Sequence, residues 1–198
     1  RPGEPVQDEL WHRLVDTDVV VLLDTPGFLG SRWTKEELAK ASAMSIGVVQ
    51  LIWPGHTQDP YTTLCFPIAL ATSSFVSGRV VEDDAILTDT CLDSVTAAVE
   101  SWRARSLAAR QDNIIQEFTS AATSLGKTAT LQPEEYITIT DSRGDLVMII
   151  PTIGIPDSLA YNRTEDTMAA RLGGKPAAAF ILFDHNNIRQ TWQDHLAW

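Results

Sequence analysis

Residues 18–54 read DVVVLLDTPGFLGSRWTKEELAKASAMSIGVVQLIWP, and the order of hydrophobic periods in this stretch decides the fold class. Asp18-Val19-Val20-Val21-Leu22-Leu23 is a continuous apolar, β-branched run of strand length. Such a run predicts a strand buried on both faces, as in a parallel sheet with helices on either side. Thr25-Pro26-Gly27 stops it. Trp33 to Met44 holds strong helix formers and no Gly or Pro, so it predicts a helix. Gly47-Val48-Val49-Gln50-Leu51-Ile52 is a second strand, ended by Trp53-Pro54-Gly55. A strand–helix–strand unit of this kind is nearly always parallel with a right-handed crossover. The fold class is therefore α/β.

Outward from this unit the signals weaken. Upstream, Leu10, Trp11, Leu14 and Val15 have helical spacing within Asp8 to Val15. Downstream, Leu64 to Ala71 reads as a third strand or an irregular buried segment, and Pro67 argues against a central strand. Thr90 to Leu125 is a long helix in composition, with Leu92, Val95, Val99, Trp102 and Leu107 at helical intervals. Its Arg103, Arg105 and Arg110 read as a solvated or salt-bridged face. The last third restarts a fold. Residues 136–140 and 146–150 flank a five-residue polar turn, Asp141 to Asp145, which suits a hairpin. A helix capped by Asp157 or Ser158 should run to about Leu172, ended by Gly173-Gly174. Ala177 to Phe183 is another strand of buried type, and a further helix starts at about Asn187. No internal repeat is visible. The boundary falls between about 105 and 130, giving regions 1–105 and 106–198, within the usual domain size of roughly 50–250 residues.

Charge and composition narrow the function. The 198 residues carry Lys+Arg 15 against Asp+Glu 26, a net charge of −11. Nucleic-acid affinity needs clustered cations, and so does attraction to anionic lipid, so neither partner is expected. No apolar run approaches the roughly 20 residues of a membrane span. Two cysteines, Cys65 and Cys91, make no disulfide scaffold and point to a reduced, cytoplasmic compartment. The chain opens on Arg1-Pro2-Gly3-Glu4 with neither initiator Met nor signal peptide, and reads as a piece of a longer protein.

Within Asp18 to Pro54 the elements follow one another as apolar strand, Phe28, Ser31, Trp33-x-x-x-Glu37 on a helix, apolar strand, and Pro54. This order resembles the middle of a Toll/interleukin receptor (TIR) domain, across roughly residues 5–105. The resemblance implies a flavodoxin-like parallel sheet. It also implies cleavage of NAD⁺ between nicotinamide and ribose, in signalling or defence, with Glu37 in the position of the catalytic glutamate. Trp33, Phe28 and Ser31 would then line the substrate pocket, NAD⁺ would be a substrate rather than a cofactor, and TIR-like surfaces would self-associate. The strand, helix and second strand with which a TIR domain begins would precede Arg1, so that residues 1–105 lack the first strands.

A single carboxylate suits that chemistry. Departure of nicotinamide passes through an oxocarbenium-like transition state, as glycoside hydrolysis does. Because the leaving group departs from a cationic pyridinium, no general acid is needed. One carboxylate in a water-poor cleft can stabilise the developing charge.

The same residues admit plainer readings. Thr34-Lys35-Glu36-Glu37 is also a capping box, in which Glu37 serves the helix start, whereas a cap at Ser31 would place Glu37 deeper in the helix. Trp33 reads equally as core. As a function, the alternative to catalysis is a non-catalytic TIR–TIR adaptor. A third reading is a nucleotide-binding sensor that uses the loop Thr152 to Ser158 before a helix N-terminus.

Asp184-His185 and Asp194-His195 are acidic–histidine pairs, but a Zn or Fe centre needs three or four convergent ligands, and no metal is expected. G-x-S-x-G, G-x-x-x-x-G-K-[ST] and G-x-G-x-x-G are all absent. Arg143-Gly144-Asp145 reads as a polar turn, and Asn162-Arg163-Thr164 would be a glycosylation site only in a secreted protein.

Overall fold

Strand β2 (Gly47–Ile52) is buried at every residue. It lies between β1 (Val19–Asp24) and β3 (Phe66–Ala69), parallel to both. These strands come from a computed structural model that describes residues 14, 17–30, 32–80, 85–133, 135–156, 159, 162, 166, 170 and 178–184, without the side chains of 29 and 32–34. The chain divides into two compact units, Arg1–Leu107 and Ala108–Trp198.

In the first unit, helix α1 (Arg32–Ala43) makes the crossover from β1 to β2. Side chains alternate across a strand, so the sheet builds two cores. Leu22, Val48 and Cys65 pack with Ala41 and Ile46, joined by Val20, Phe28, Leu38 and Met44, on the α1 face. Val49, Leu51, Leu70 and Phe75 pack on the other face, against Cys91, Val95, Val99 and Trp102 of α2 (Asp89–Ser124). Helices thus cover both faces of a parallel sheet, as the α/β pattern requires. Gly47 permits the close approach of α2, because a Cβ there would sit 3.2 Å from the Trp102 carbonyl oxygen. The Ser106 hydroxyl donates to the Ser45 carbonyl at 2.7 Å, fixing the same helix to the α1–β2 turn.

One expectation for this unit needs correction. The apolar run of β1 is not buried on both faces: Val21 and Leu23 are 44% and 53% exposed. On that face of β1 Val19 joins the core that α2 covers, whereas Val21 and Leu23 lie beyond it at the edge of the described sheet. The expected third strand within Leu64 to Ala71 is present, and Pro67 fits it because β3 is at the edge of the sheet among the described residues, where a missing N–H costs no ladder bond.

Helix α2 is continuous over 36 residues, with no Gly or Pro to break it. Arg103 pairs with Asp18 at 3.2 Å and Arg105 is exposed over the Trp102 ring, as a solvated or salt-bridged face would have them. Arg110 departs from that expectation and is buried, since it falls on the row with Ser106 and Ile114 that recurs every four residues.

The second unit holds a sheet of order β4-β5-β6-β7: Ala129–Leu131, Ile137–Thr140, Leu146–Thr152 and Ala178–Phe183. β5 and β6 form the expected hairpin around Asp141 to Asp145, and β7 runs parallel to β6. Ile137, Val147 and Ile149 form its core with Ile115, Phe118 and Leu182. Leu159, Asn162, Asp166 and Ala170 are helical and exposed, at the spacing of one helix face. The expected caps Asp157 and Ser158, the helix from Asn187, and most of Asp8 to Val15 lie outside the described residues, although Leu14 is helical. No helix among the described residues is long and apolar enough to cross a membrane.

Candidate functional site

The helix that carries Glu37 is held down by Leu38 and Ala41, which face the sheet. Lys35 and Glu37 flank this stripe on opposite sides, being about 200° apart around the helix. The Lys35 ammonium lies 4.8 Å from the centre of the Tyr61 ring, which belongs to the β2–β3 connection. Glu37 therefore lies on the opposite flank, away from Tyr61. It is half-buried, and among the described residues it has no hydrogen bond or ion pair. Because α1 begins at Arg32, Thr34 is inside the helix rather than at its cap, so the capping box centred on Thr34 does not form. Ser31 itself lies outside the described residues, as does the side chain of Trp33. Phe28, in a 3-10 turn at Phe28–Gly30, is half-buried and packs against the α1-side core.

A second group of residues meets at the carboxyl ends of β1 and β2, where open α/β sheets usually bind ligands. Asp24, the last residue of β1, follows Val20 and Leu22 on the α1 face and is fully buried. Its Oδ2 accepts a 2.7 Å hydrogen bond from Gln50 Nε2, also fully buried. The same amide donates to Thr62 Oγ1 at 2.9 Å, while Gln50 Oε1 accepts from Gln58 Nε2 at 2.9 Å. His56 Nε2 lies 3.0 Å from Asp24 Oδ1. That contact is ionic in distance but lacks hydrogen-bond alignment, which leaves Oδ1 a buried oxygen without an aligned donor. The His56 side chain is 27% exposed, so the ring spans from a buried carboxylate to solvent.

Trp53-Pro54-Gly55-His56 explains how the histidine arrives there. The His56 N–H donates to the Trp53 carbonyl at 3.0 Å, Pro54 holds the second position, and Gly55 takes φ +77° at the third. This is a type II turn, which needs positive φ at that third residue. The turn folds back immediately after β2, and the Trp53 N–H donates to the Asp24 carbonyl at 3.0 Å. Nearby, Cys65 is a buried free thiol. Burial pushes its pKa up, and the charge of Asp24 adds to that rise.

A groove of about 510 Å³ opens at the carboxyl end of β3 beside the start of α2, with Ser73, Ser74, Thr88, Thr90, Cys91 and Ser94 on its wall. Three of its hydroxyls serve local backbone. Ser74 Oγ accepts from the Ala71 N–H, Thr88 Oγ1 accepts from the Cys91 N–H, and the Ser94 hydroxyl donates to the Thr90 carbonyl.

No family model, curated protein or solved structure matches this chain. The site must therefore be judged on its own chemistry.

Of the residues singled out in sequence, the structure places Glu37 and Phe28 around α1 and leaves Ser31 and the Trp33 side chain undescribed. Thr152 closes β6, while Asp157 and Ser158 of that loop lie outside the described residues. His185 and the Asp194-His195 pair do so too, and among the described residues no three His, Cys, Asp or Glu side chains converge as a metal site. Sequence reasoning missed the Asp24–Gln50–His56 group. Its signal was present as polar residues interrupting two apolar strands at their carboxyl ends, followed by a Pro-Gly turn that delivers a histidine.

Proposed function

We propose that residues 1–105 form a TIR-like module with a flavodoxin-like sheet that cleaves NAD⁺ at the bond between nicotinamide and ribose. The product would be ADP-ribose or a cyclised form, in a cytoplasmic signalling or defence role. Glu37 is the catalytic carboxylate in this reading, with Trp33, Phe28 and Ser31 around the substrate. The observation that carries it is the state of Glu37: half-buried and without hydrogen bond or ion pair among the described residues. A carboxylate neutralised by Lys or Arg has little field left for a substrate cation. One at the flank of a helix keeps its charge available where positive charge develops on ribose. The helix start at Arg32 supports the same role, because it frees Glu37 from capping. The test is made on the full-length gene product, since the reading includes strands before Arg1. Nicotinamide release from NAD⁺ should be measurable for the wild type and fall at least about 100-fold in Glu37→Gln, the scale of losing one electrostatic stabiliser. Equal release by the two proteins, or none by the wild type, refutes it.

A second reading has its own observation. Val21 and Leu23 of β1 are exposed together on one strand face, and adjacent apolar residues in the open favour association. This suits a non-catalytic module that works by TIR–TIR assembly. Nicotinamide release absent from an assembled wild type, with assembly lost in Val21→Lys, selects it.

A further inference from the structure

Asp24 is fully buried, yet among the described residues only one of its carboxylate oxygens has an aligned hydrogen-bond donor. Oδ2 is fixed by Gln50, but among the described residues Oδ1 has no aligned donor, and the imidazole of His56 lies 3.0 Å from it. A buried polar atom in this state calls for a physical explanation. Gln50 is anchored by Thr62 and Gln58, and the Thr62 hydroxyl donates to the Asp59 carbonyl at 2.7 Å. Cys65 is kept as a thiol by burial. The result is a rigid carboxylate whose one uncommitted oxygen faces an imidazole, and that imidazole reaches solvent by its far edge.

A carboxylate that orients a partly exposed imidazole is the arrangement of an activated base. Such contacts are often poorly aligned before substrate binds. The location is also suitable. Asp24 lies on the α1 face of the sheet at the carboxyl end of β1, and helix phase puts Glu37 on the flank of α1 away from Lys35 and Tyr61.

We propose that His56 is the general base that captures the ribosyl cation with water, and that Asp24 is its positioning residue. This rests on the NAD⁺-cleaving reading of Glu37. Nicotinamide leaves with the electron pair of the C1′–N bond, as a neutral base, and needs no proton. A water oxygen then bonds to C1′ and gives one proton to His56 Nδ1. The Asp24 carboxylate steadies the imidazolium at Nε2 until Nδ1 returns the proton to solvent.

The proposal separates two reactions of one intermediate. Water must lose a proton as it attacks, whereas a free pyridine attacks through a lone pair and has none to lose. The experiment compares hydrolysis of NAD⁺ with exchange of its nicotinamide for 3-acetylpyridine, on the full-length wild type, His56→Asn and Glu37→Gln. In His56→Asn, hydrolysis should fall about 100-fold, the usual scale for a general base, while exchange stays near the wild-type rate. Added imidazole should restore hydrolysis to His56→Ala, which a purely structural role would not allow. Asp24→Asn should lower hydrolysis relative to exchange in the same direction. Parallel loss of both reactions in His56→Asn, or loss of neither, overturns the proposal. So does a wild type that forms only a cyclised product. The two readings fail differently. Activity lost in Glu37→Gln but unchanged in His56→Asn removes only the role of His56, whereas a wild type without nicotinamide release removes both.

Discussion

Replacing Gln50 by Met tests how the buried polar group is held together. Met has a similar length and no donor, so the substitution keeps the volume of a fully buried side chain while removing its hydrogen bonds. The main loss is the 2.7 Å bond to Asp24 Oδ2. A hydrogen bond to a charged group contributes about 1.5–3 kcal/mol. Stranding a buried charge raises the cost to about 3–5 kcal/mol. The other two bonds matter less. Thr62 keeps its donation to the Asp59 carbonyl, and Gln58 keeps its own to the Thr62 carbonyl at 3.1 Å. The expected cost is therefore about 3–5 kcal/mol, concentrated in the first unit. Native-state hydrogen exchange measures it, read at amides of β1 and β2 and compared with β5 and β6, so that the two units are not averaged. Protection should drop in the first set and hold in the second. In a double-mutant cycle, Asp24→Leu should remove most of the penalty, because the stranded charge is then absent. A loss below about 1 kcal/mol in Gln50→Met, the range of an ordinary neutral hydrogen bond, would refute the view that Gln50 holds a buried charge in place.

Cys65 should react far more slowly than Cys91 with a thiol reagent at pH 8, because burial and the Asp24 charge raise its pKa above the ordinary 9.0. The raised folded-state value has a signed consequence. Unfolded chains lose the Cys65 proton first as pH climbs through 9.0, so stability present below that pH declines above it, and Cys65→Ala should flatten the alkaline limb of a urea-midpoint profile. Gly47→Ala should destabilise the first unit by about 1–3 kcal/mol, as overpacking does, since its Cβ would lie 3.2 Å from a helix carbonyl oxygen; an unchanged thermal midpoint contradicts that. Gly55→Val should cost a similar amount by forcing a β-branched residue to φ +77°, and NMR should show the His56 ring displaced from Asp24.

Much of the architecture was legible because it depends on local periodicity. The strand–helix–strand unit from Val19 to Ile52, the long helix α2 and the β5–β6 hairpin all follow from runs whose period matches one element. What was not legible depends on neighbours. The run Val19 to Leu23 specifies a strand, but whether Val21 is covered depends on which strands α2 spans. β4 is three residues, Ala129 to Leu131, too short to show a period, and exists by pairing with β5. Arg110 is charged, yet the four-residue row to which it belongs runs inward.

The site divides in the same way. Glu37 was visible through its place four residues after Trp33 on a helix, and helix phase then decides which flank it occupies. The Asp24–His56 contact joins residues 32 positions apart through strand pairing and one type II turn. Only the sheet register, with Asp24 beside Ile52, brings those ends together.

The proposed activity depends above all on Glu37 acting on NAD⁺. The most direct measurement is one proton NMR time course of the full-length Glu37→Gln protein with NAD⁺, beside an equal concentration of wild type. NAD⁺ resonances should broaden on binding to both proteins, while free nicotinamide accumulates only with the wild type. Nicotinamide appearing at the same rate in both samples would contradict the account.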